Sequence, residues 1–554
     1  MNSFSRAADE EEMAAMVPPP PAAGDRIVGD LAVESTNSSS SKTQSCWKTT
    51  RTTSGGVGVV IGTLVFLALL VGTKWIYLDA TATGVGSFSR RGRAPGRTRS
   101  STAPLVPIFF SCGNDTYVDP ATTVCRRPAS PPTPSAFSSP QKQKPKEYFP
   151  GVPPPWCPDY FRHIHADLEP WRATGITLDA VERARAQPHA EFRLVVVSGR
   201  AYVEKYGPSF QTRDVFTQWG ILQLLARYPG RVPDVDMMFV TGDVMRVRAT
   251  DYPDDPSAAP PLFRYCKHVE KEVAILWPDW SFWGWPEVNV RPWAPLMEDI
   301  VRENARLRWP DRVPYAFWKG NPNVSPERRD LFRCNSDSAS GKEWNARLFA
   351  QDWDAAHRSG FKDSNLAKQC RYRYKIYVAG RAWSVSEKYI LACDSPMLAL
   401  DTSYRDFFSR GLVAGKHYWP IDLARKCPAI KFAVDWGNAH SEEAQRMGEE
   451  GSGFAREEMD MEYVYEYMLH VLTQYAALLR YKPTVPEKAV ELCPESMACP
   501  RSGREREFMM ESRERYVSSH EPCTLPPPFT AEEVREMAAT EEDARNKVVK
   551  MEGI

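Results

Sequence analysis

The sequence predicts an α/β fold of two lobes facing each other across a cleft, and three observations predict it. Residues 192–198 (FRLVVVS) and 235–241 (VDMMFVT) are apolar, β-branched runs that flank residues 214–228, where apolar side chains recur at helical spacing. Strand, helix, strand implies a parallel sheet. The same habit returns at 315–318, 371–378, 389–392 and 397–400, read as strands, before a long helix over 458–479. A chain of 554 residues is also long enough for roughly two or three globular units plus tails.

Residues 1–51 carry acidic, proline and serine clusters and are expected to be a disordered cytosolic tail. Residues 52–77 contain GVVIGTLVFLALLVG, uncharged and long enough to cross a hydrocarbon layer of about 30 Å, so a single transmembrane anchor is expected there. Residues 78–155, rich in proline, serine, threonine and arginine, read as a stem holding the remainder off the bilayer. The lobes are then expected at 156–305 and 306–485, with 486–554 as a peripheral appendage. Basic residues flank the span on both sides, so the positive-inside rule does not orient it.

Cysteine usage does bear on orientation. Eleven of the twelve cysteines follow the span. Cys112 and Cys125 lie in a segment too polar for a core, which suggests a disulfide-closed loop in an oxidising compartment, and the sequon at Asn114 agrees. An odd count leaves at least one thiol free or paired between chains. The expectation is a type II membrane protein of the Golgi or ER with its mass in the lumen, while the sequon at Asn37 would stay cytosolic. Seventy basic and seventy acidic residues leave no net field for nucleic acid.

Two stretches could carry chemistry. Residues 277–293 (WPDWSFWGWPEVNVRPW) put five tryptophans into seventeen positions with neither helical nor strand periodicity. Flat aromatic faces beside polar groups suit a sugar ring, although a loop packed under its own prolines would read the same way. Residues 317–332 (FWKGNPNVSPERRDLF) run from a strand end through a glycine turn into a helix, with Ser325 as N-cap, Pro326 at the first position and Arg328 in the first turn. Such a terminus seats a diphosphate, or is simply a capped surface helix.

With these blocks the chain resembles a known family. CPDYFRHIHADLEPW from Cys157, PDVDMMFVTGD from Pro233, the tryptophan-rich and Ser-Pro-Glu-Arg blocks, CRYRYKIYVAGRAWSVSEKYILACDS from Cys370 and HYWPI after Lys416 are similar, in order, to the Rumi-type protein O-glucosyltransferases and capsule-associated proteins of glycosyltransferase family 90, in the plant form. The resemblance implies a GT-B-like fold of two Rossmann-type lobes. It also implies a UDP-sugar donor (UDP-glucose or UDP-xylose), inversion at the anomeric carbon, and neither metal nor other cofactor.

Under that resemblance Asp243 is the catalytic base, where residue order alone would allow an ordinary turn aspartate after Gly242. An inverting transfer needs one carboxylate to take the acceptor hydroxyl's proton, and Asp243 closes a strand at the end where α/β sheets place ligands. Donor contacts carry over to Asn321 and Arg328, with Lys319, Gly320, Gly380 and Ser386 around them. Ser386 departs from the pattern, standing where some members have a second arginine, and Arg381 or Lys388 could supply that charge. Trp283, Trp285 and Glu287 are expected on the acceptor side.

Other chemistry is poorly supported. Asp234-Val235-Asp236 and Asp352-Trp353-Asp354 match a metal-holding DxD pattern, but the first lies in an apolar strand and the second opens a helix. His163, His165, His417 and His440 lack ligand spacing. The expected partners are a UDP-sugar, a protein or polysaccharide acceptor and the membrane, and the rival expectation is an inactive glycan-binding or scaffold protein.

Overall fold

The computed structural model describes residues 105–112, 125, 155–186, 190–335, 342–400 and 403–553. All the described residues belong to one compact unit, 92–554. The expected tail, span and both sequons lie outside the described residues, as does nearly all of the stem. Among the described residues no helix is long and apolar enough to cross a membrane.

The first lobe is built from β1 (Phe192–Val197), β2 (Arg200–Lys205), helix α1 (Arg213–Arg227), β3 (Val235–Phe239), β4 (Leu262–Arg264), β5 (Cys266–His268) and β6 (Ile275–Leu276). β1 runs antiparallel to both β2 and β3, which corrects the expected parallel pairing of 192–198 with 235–241. The cause is the two-residue turn Ser198–Gly199, with φ of 51° and 72°, which folds the chain into a hairpin before the helix begins. α1 therefore crosses over from β2 to β3, and β1 fills the gap between them. β3, β4 and β6 continue the sheet in parallel.

After α2 (Trp293–Arg306), the second lobe holds β7 (Val313–Gly320), α3 (Pro326–Leu331), β8 (Ala346–Ala350), β9 (Tyr372–Tyr377), α4 (Ser386–Leu391), β10 (Met397–Leu400), β11 (Tyr404–Asp406) and β12 (Tyr418–Ile421). Its sheet is ordered β12-β10-β9-β7-β8 and every pairing is parallel. In chain order that is 2-1-3-4-5, a doubly wound arrangement whose order reverses between β7 and β9. Ligands of such sheets bind at the carboxyl ends of the strands beside that reversal. Residues 389–392, expected as a strand, belong instead to α4 and the turn that follows it, because four apolar residues cannot reveal their period. β11 leaves this sheet to pair with β5.

α5 (Lys426–Ala439) and α6 (Ser441–Glu457) follow, and then α7 (Met461–Leu478), capped by Asp460, returns to the first lobe. Tyr475 there donates to the Asp236 carbonyl at 2.9 Å, so the helix placed by sequence within 306–485 serves the other lobe. The stretch 486–554 is not peripheral either. Its strand β13 (Val490–Leu492) extends the first sheet beside β2, and α8 (Ala531–Met551) sets Glu533 against Arg162 and Glu541 against Tyr418.

Disulfides stitch that stretch down. Cys112 pairs with Cys499, Cys125 with Cys493 and Cys157 with Cys523, while Cys334–Cys427 and Cys370–Cys393 close within the second lobe. The expected Cys112–Cys125 loop does not form, since each finds its partner more than 360 residues away. Among the described residues Cys266 is the free thiol, and it is buried. Crosslinks across loops this long remove much chain entropy from the unfolded state.

Candidate active site

At the reversal in the second sheet, β7 ends at Gly320, where a Cβ would come within 2.6 Å of the Trp318 ring. Asn321 then caps its own turn by accepting from the Asn323 N–H, and Ser325 accepts from the Arg328 N–H to start α3, as its sequence position predicts. Arg328 reaches across to the end of β9. Its Nε donates to the Ala379 carbonyl at 2.9 Å, and its NH2 group donates to Val378 O at 3.4 Å and Ser384 Oγ at 3.1 Å. Gly380 keeps that turn tight, since a Cβ would sit 3.0 Å from Trp383 O and 3.7 Å from the guanidinium.

Arg328 meets no carboxylate among the described residues, and its NH1 makes no hydrogen bond with them. Burial lowers its proton affinity, against which Tyr377, Tyr389 and Asp243 act. A desolvated cation without a counter-ion is costly unless an anion arrives, and this one stands where a doubly wound sheet binds phosphate. Ser386 joins the network through Ser384, with the two hydroxyl oxygens 2.8 Å apart. Lys319 turns to the Asp363 carbonyl instead.

Lys388 cannot supply the charge missing at Ser386. Its side chain is 1% exposed and is held by Asp279 at 3.0 Å and Ser281 at 2.7 Å. That pair ties α4 of the second lobe to the tryptophan-rich block. The ring of Trp383 likewise lies 6.3 Å from Trp280, perpendicular to it.

On the first lobe, Asp243 follows β3 with its side chain a quarter exposed. The loop beneath it is fixed at every residue. Buried Glu191 accepts from the Thr241 N–H and from the Thr241 and Ser209 hydroxyls, and burial raises its carboxyl above the usual range. Arg264, paired with Glu272 at 2.8 Å, donates to Gly242 O, and Arg213 donates to Thr241 O and to Asp243 Oδ1. Asp243 and Arg328 lie close enough for the carboxylate's charge to act on the guanidinium.

The tryptophan-rich block divides in a way that composition could not reveal. Trp283 is fully buried, donates to Tyr465 OH at 3.0 Å and lies so close to α1 that a Cβ at Gly220 would be 2.5 Å from its ring. It is a core residue, which corrects its placement on the acceptor side. Trp285 and Glu287 are half-buried and engage the turn before α1, through Gln211 at 2.7 Å and Thr212 at 2.9 Å. Arg213, Trp383 and Ser384 escaped the sequence reading, and Trp280 was read only as part of its block, because their contacts join distant segments.

Three of the four DxD carboxylates have partners in the protein. Asp236 forms a bidentate pair with Arg193 at 2.7 and 2.6 Å, Asp234 accepts from the Ser198 N–H, and Asp352 caps a helix. The Cys157, His470 and Cys523 grouping has both sulfurs in a disulfide.

The chain is similar to proteins already known. The chain is 28% identical over 348 residues to protein O-glucosyltransferase 1 of Bos taurus, covering 60% of this chain and 83% of that one. The Homo sapiens protein of the same name is also 28% identical, over 346 residues, with 59% and 82% covered. The O-glucosyltransferase rumi homolog of Anopheles gambiae is 23% identical over 329 residues, with 57% and 78% covered. The model of glycosyl transferase family 90 matches residues 153–552, which includes both lobes and the stretch after them, and the chain belongs to that family.

Proposed function

We propose that this protein is an inverting glycosyltransferase that moves a sugar from a UDP-sugar to a hydroxyl of a protein or polysaccharide. The similar proteins are named protein O-glucosyltransferases, which favours glucose over xylose and a protein over a polysaccharide. The two lobes correspond to the two halves of a GT-B-like transferase. Arg328 carries the proposal, as a desolvated cation lacking a carboxylate partner among the described residues, beside the sheet reversal and within electrostatic reach of Asp243. Asp243 takes the acceptor proton as the sugar's anomeric carbon leaves the diphosphate. Arg328, with Asn321, Gly320, Gly380 and Ser386 around it, offsets the charge that develops on departing UDP.

Arg381, half-buried and next to Gly380, is the remaining candidate of the two for the charge absent at Ser386. An arginine-held diphosphate needs no metal, so turnover is expected to survive chelation. The uncharged run at 52–73 and the cysteine usage support a type II anchor with the lobes in the Golgi or ER lumen. UDP release from a panel of UDP-sugars tests the activity, with UDP-glucose expected to react fastest. Absence of release from every donor, with or without EDTA, would overturn it.

A further inference from the structure

Arg213 is 7% exposed, and its guanidinium lies against the Trp280 ring at 4.3 Å and the Phe210 ring at 5.1 Å. One of its nitrogens, NH1, donates both to Thr241 O at 2.8 Å and to Asp243 Oδ1 at 2.6 Å. Those acceptors are two residues apart in one loop, so a single group fixes the backbone and the carboxylate together. Oδ2 of Asp243 makes no hydrogen bond to any described residue.

What holds Arg213 is the tryptophan-rich block. Gln211 sits in the left-handed region at φ 57°, a costly conformation for a residue with a side chain, and its amide oxygen accepts from the Trp285 indole. Thr212 precedes α1 but does not cap it, and donates instead to Glu287. Trp280 packs edge-to-face on Trp285, with centroids 4.9 Å apart. Three successive residues, 211–213, are thus each held by a different member of 280–287.

We propose that Arg213 is the positioning residue for Asp243, and that Trp280, Trp285 and Glu287 act by bracing Arg213. The inference rests on the reading of Asp243 as base. In the transfer, the acceptor oxygen forms its bond to the anomeric carbon while its proton passes to Oδ2 of Asp243. The bond from the anomeric carbon to the diphosphate oxygen breaks, and its electron pair leaves with UDP. Arg213 exchanges no proton. It keeps Oδ1 engaged, so that the carboxylate presents a single, fixed lone-pair face.

The test compares UDP-glucose turnover with UDP affinity in R213Q, R213K and W285F, with D243N in parallel. R213Q is expected to lower kcat by about 100-fold and leave UDP affinity within about twofold. R213K, which keeps the charge and one donor, is expected to recover about tenfold of that loss. W285F is expected to lower kcat by only about threefold to tenfold, because it loosens Gln211 alone. A folded R213Q or R213K with wild-type kcat overturns the inference, as does a parallel fall in kcat and UDP affinity in both. If R213Q does not fold, R213K and W285F carry the decision. D243N retaining turnover would overturn the base assignment, whereas an inactive D243N beside a fully active R213Q would overturn this inference alone.

Discussion

In the first lobe the deeply buried cations meet carboxylates: Arg193 with Asp236, Arg213 with Asp243, Arg264 with Glu272, and Lys267 with Asp167. In the second lobe Arg328, Arg312 and Lys375 meet carbonyls and hydroxyls. Arg312 donates to Cys393 O and Ser395 Oγ, and Lys375 to Gln369 O at 3.3 Å with the Phe317 ring 4.4 Å away. The acids buried near α4, Glu387 and Asp406, are pushed above their usual range by burial, which weakens their negative charge. The first lobe is therefore electrostatically closed around its carboxylate, whereas the second, although its Lys388 and Arg410 pair with Asp279 and Asp167 of the first, keeps Arg328, Arg312 and Lys375 without an ion pair among the described residues. That difference is what a base on one side and a diphosphate on the other require.

The largest effect expected from breaking this contrast lies on the closed side. D243N should lower turnover by about 1,000-fold and leave UDP affinity unchanged, measured as UDP release beside calorimetry. Equal turnover would remove Asp243 from the chemistry. W283A should separate packing from function by lowering unfolding stability by about 3–4 kcal/mol in denaturant titration. If it left stability intact and abolished acceptor use, Trp283 would return to the acceptor side.

Lys375 sharpens the contrast on the open side with a smaller effect. Burial, followed by Arg312, depresses its ammonium to about 7. Between that value and the ordinary lysine range the unfolded chain binds a proton that the folded one does not, so this residue makes stability rise with pH across that window. Its cost is complete at and below neutral pH. K375M should therefore stabilise the protein by about 2 kcal/mol at pH 7, and the gain should shrink steadily as the pH rises from 7 toward the ordinary lysine range. A constant gain across that range would refute the depressed ammonium.

Much of the fold was legible, because strands such as β3 and β9 are apolar runs with clear ends. Their direction was not, because Ser198–Gly199 reverses the chain between a strand and a helix that look consecutive. Ser325 and Arg328 were found because capping is local and leaves its mark at fixed spacing. Arg213 was missed because its partner lies 30 residues away, and Trp283 was misplaced because a core indole and a ligand-facing one have the same composition. Connectivity of Cys112 and Cys125 was hidden for the same reason.

The central claim is that Arg328 awaits the diphosphate of a UDP-sugar opposite an already paired Asp243. Titrating UDP into wild-type, R328M and D243N proteins by calorimetry tests it most directly. UDP affinity should fall by about 30-fold or more in R328M and hold in D243N. Equal UDP affinity in all three would contradict the account.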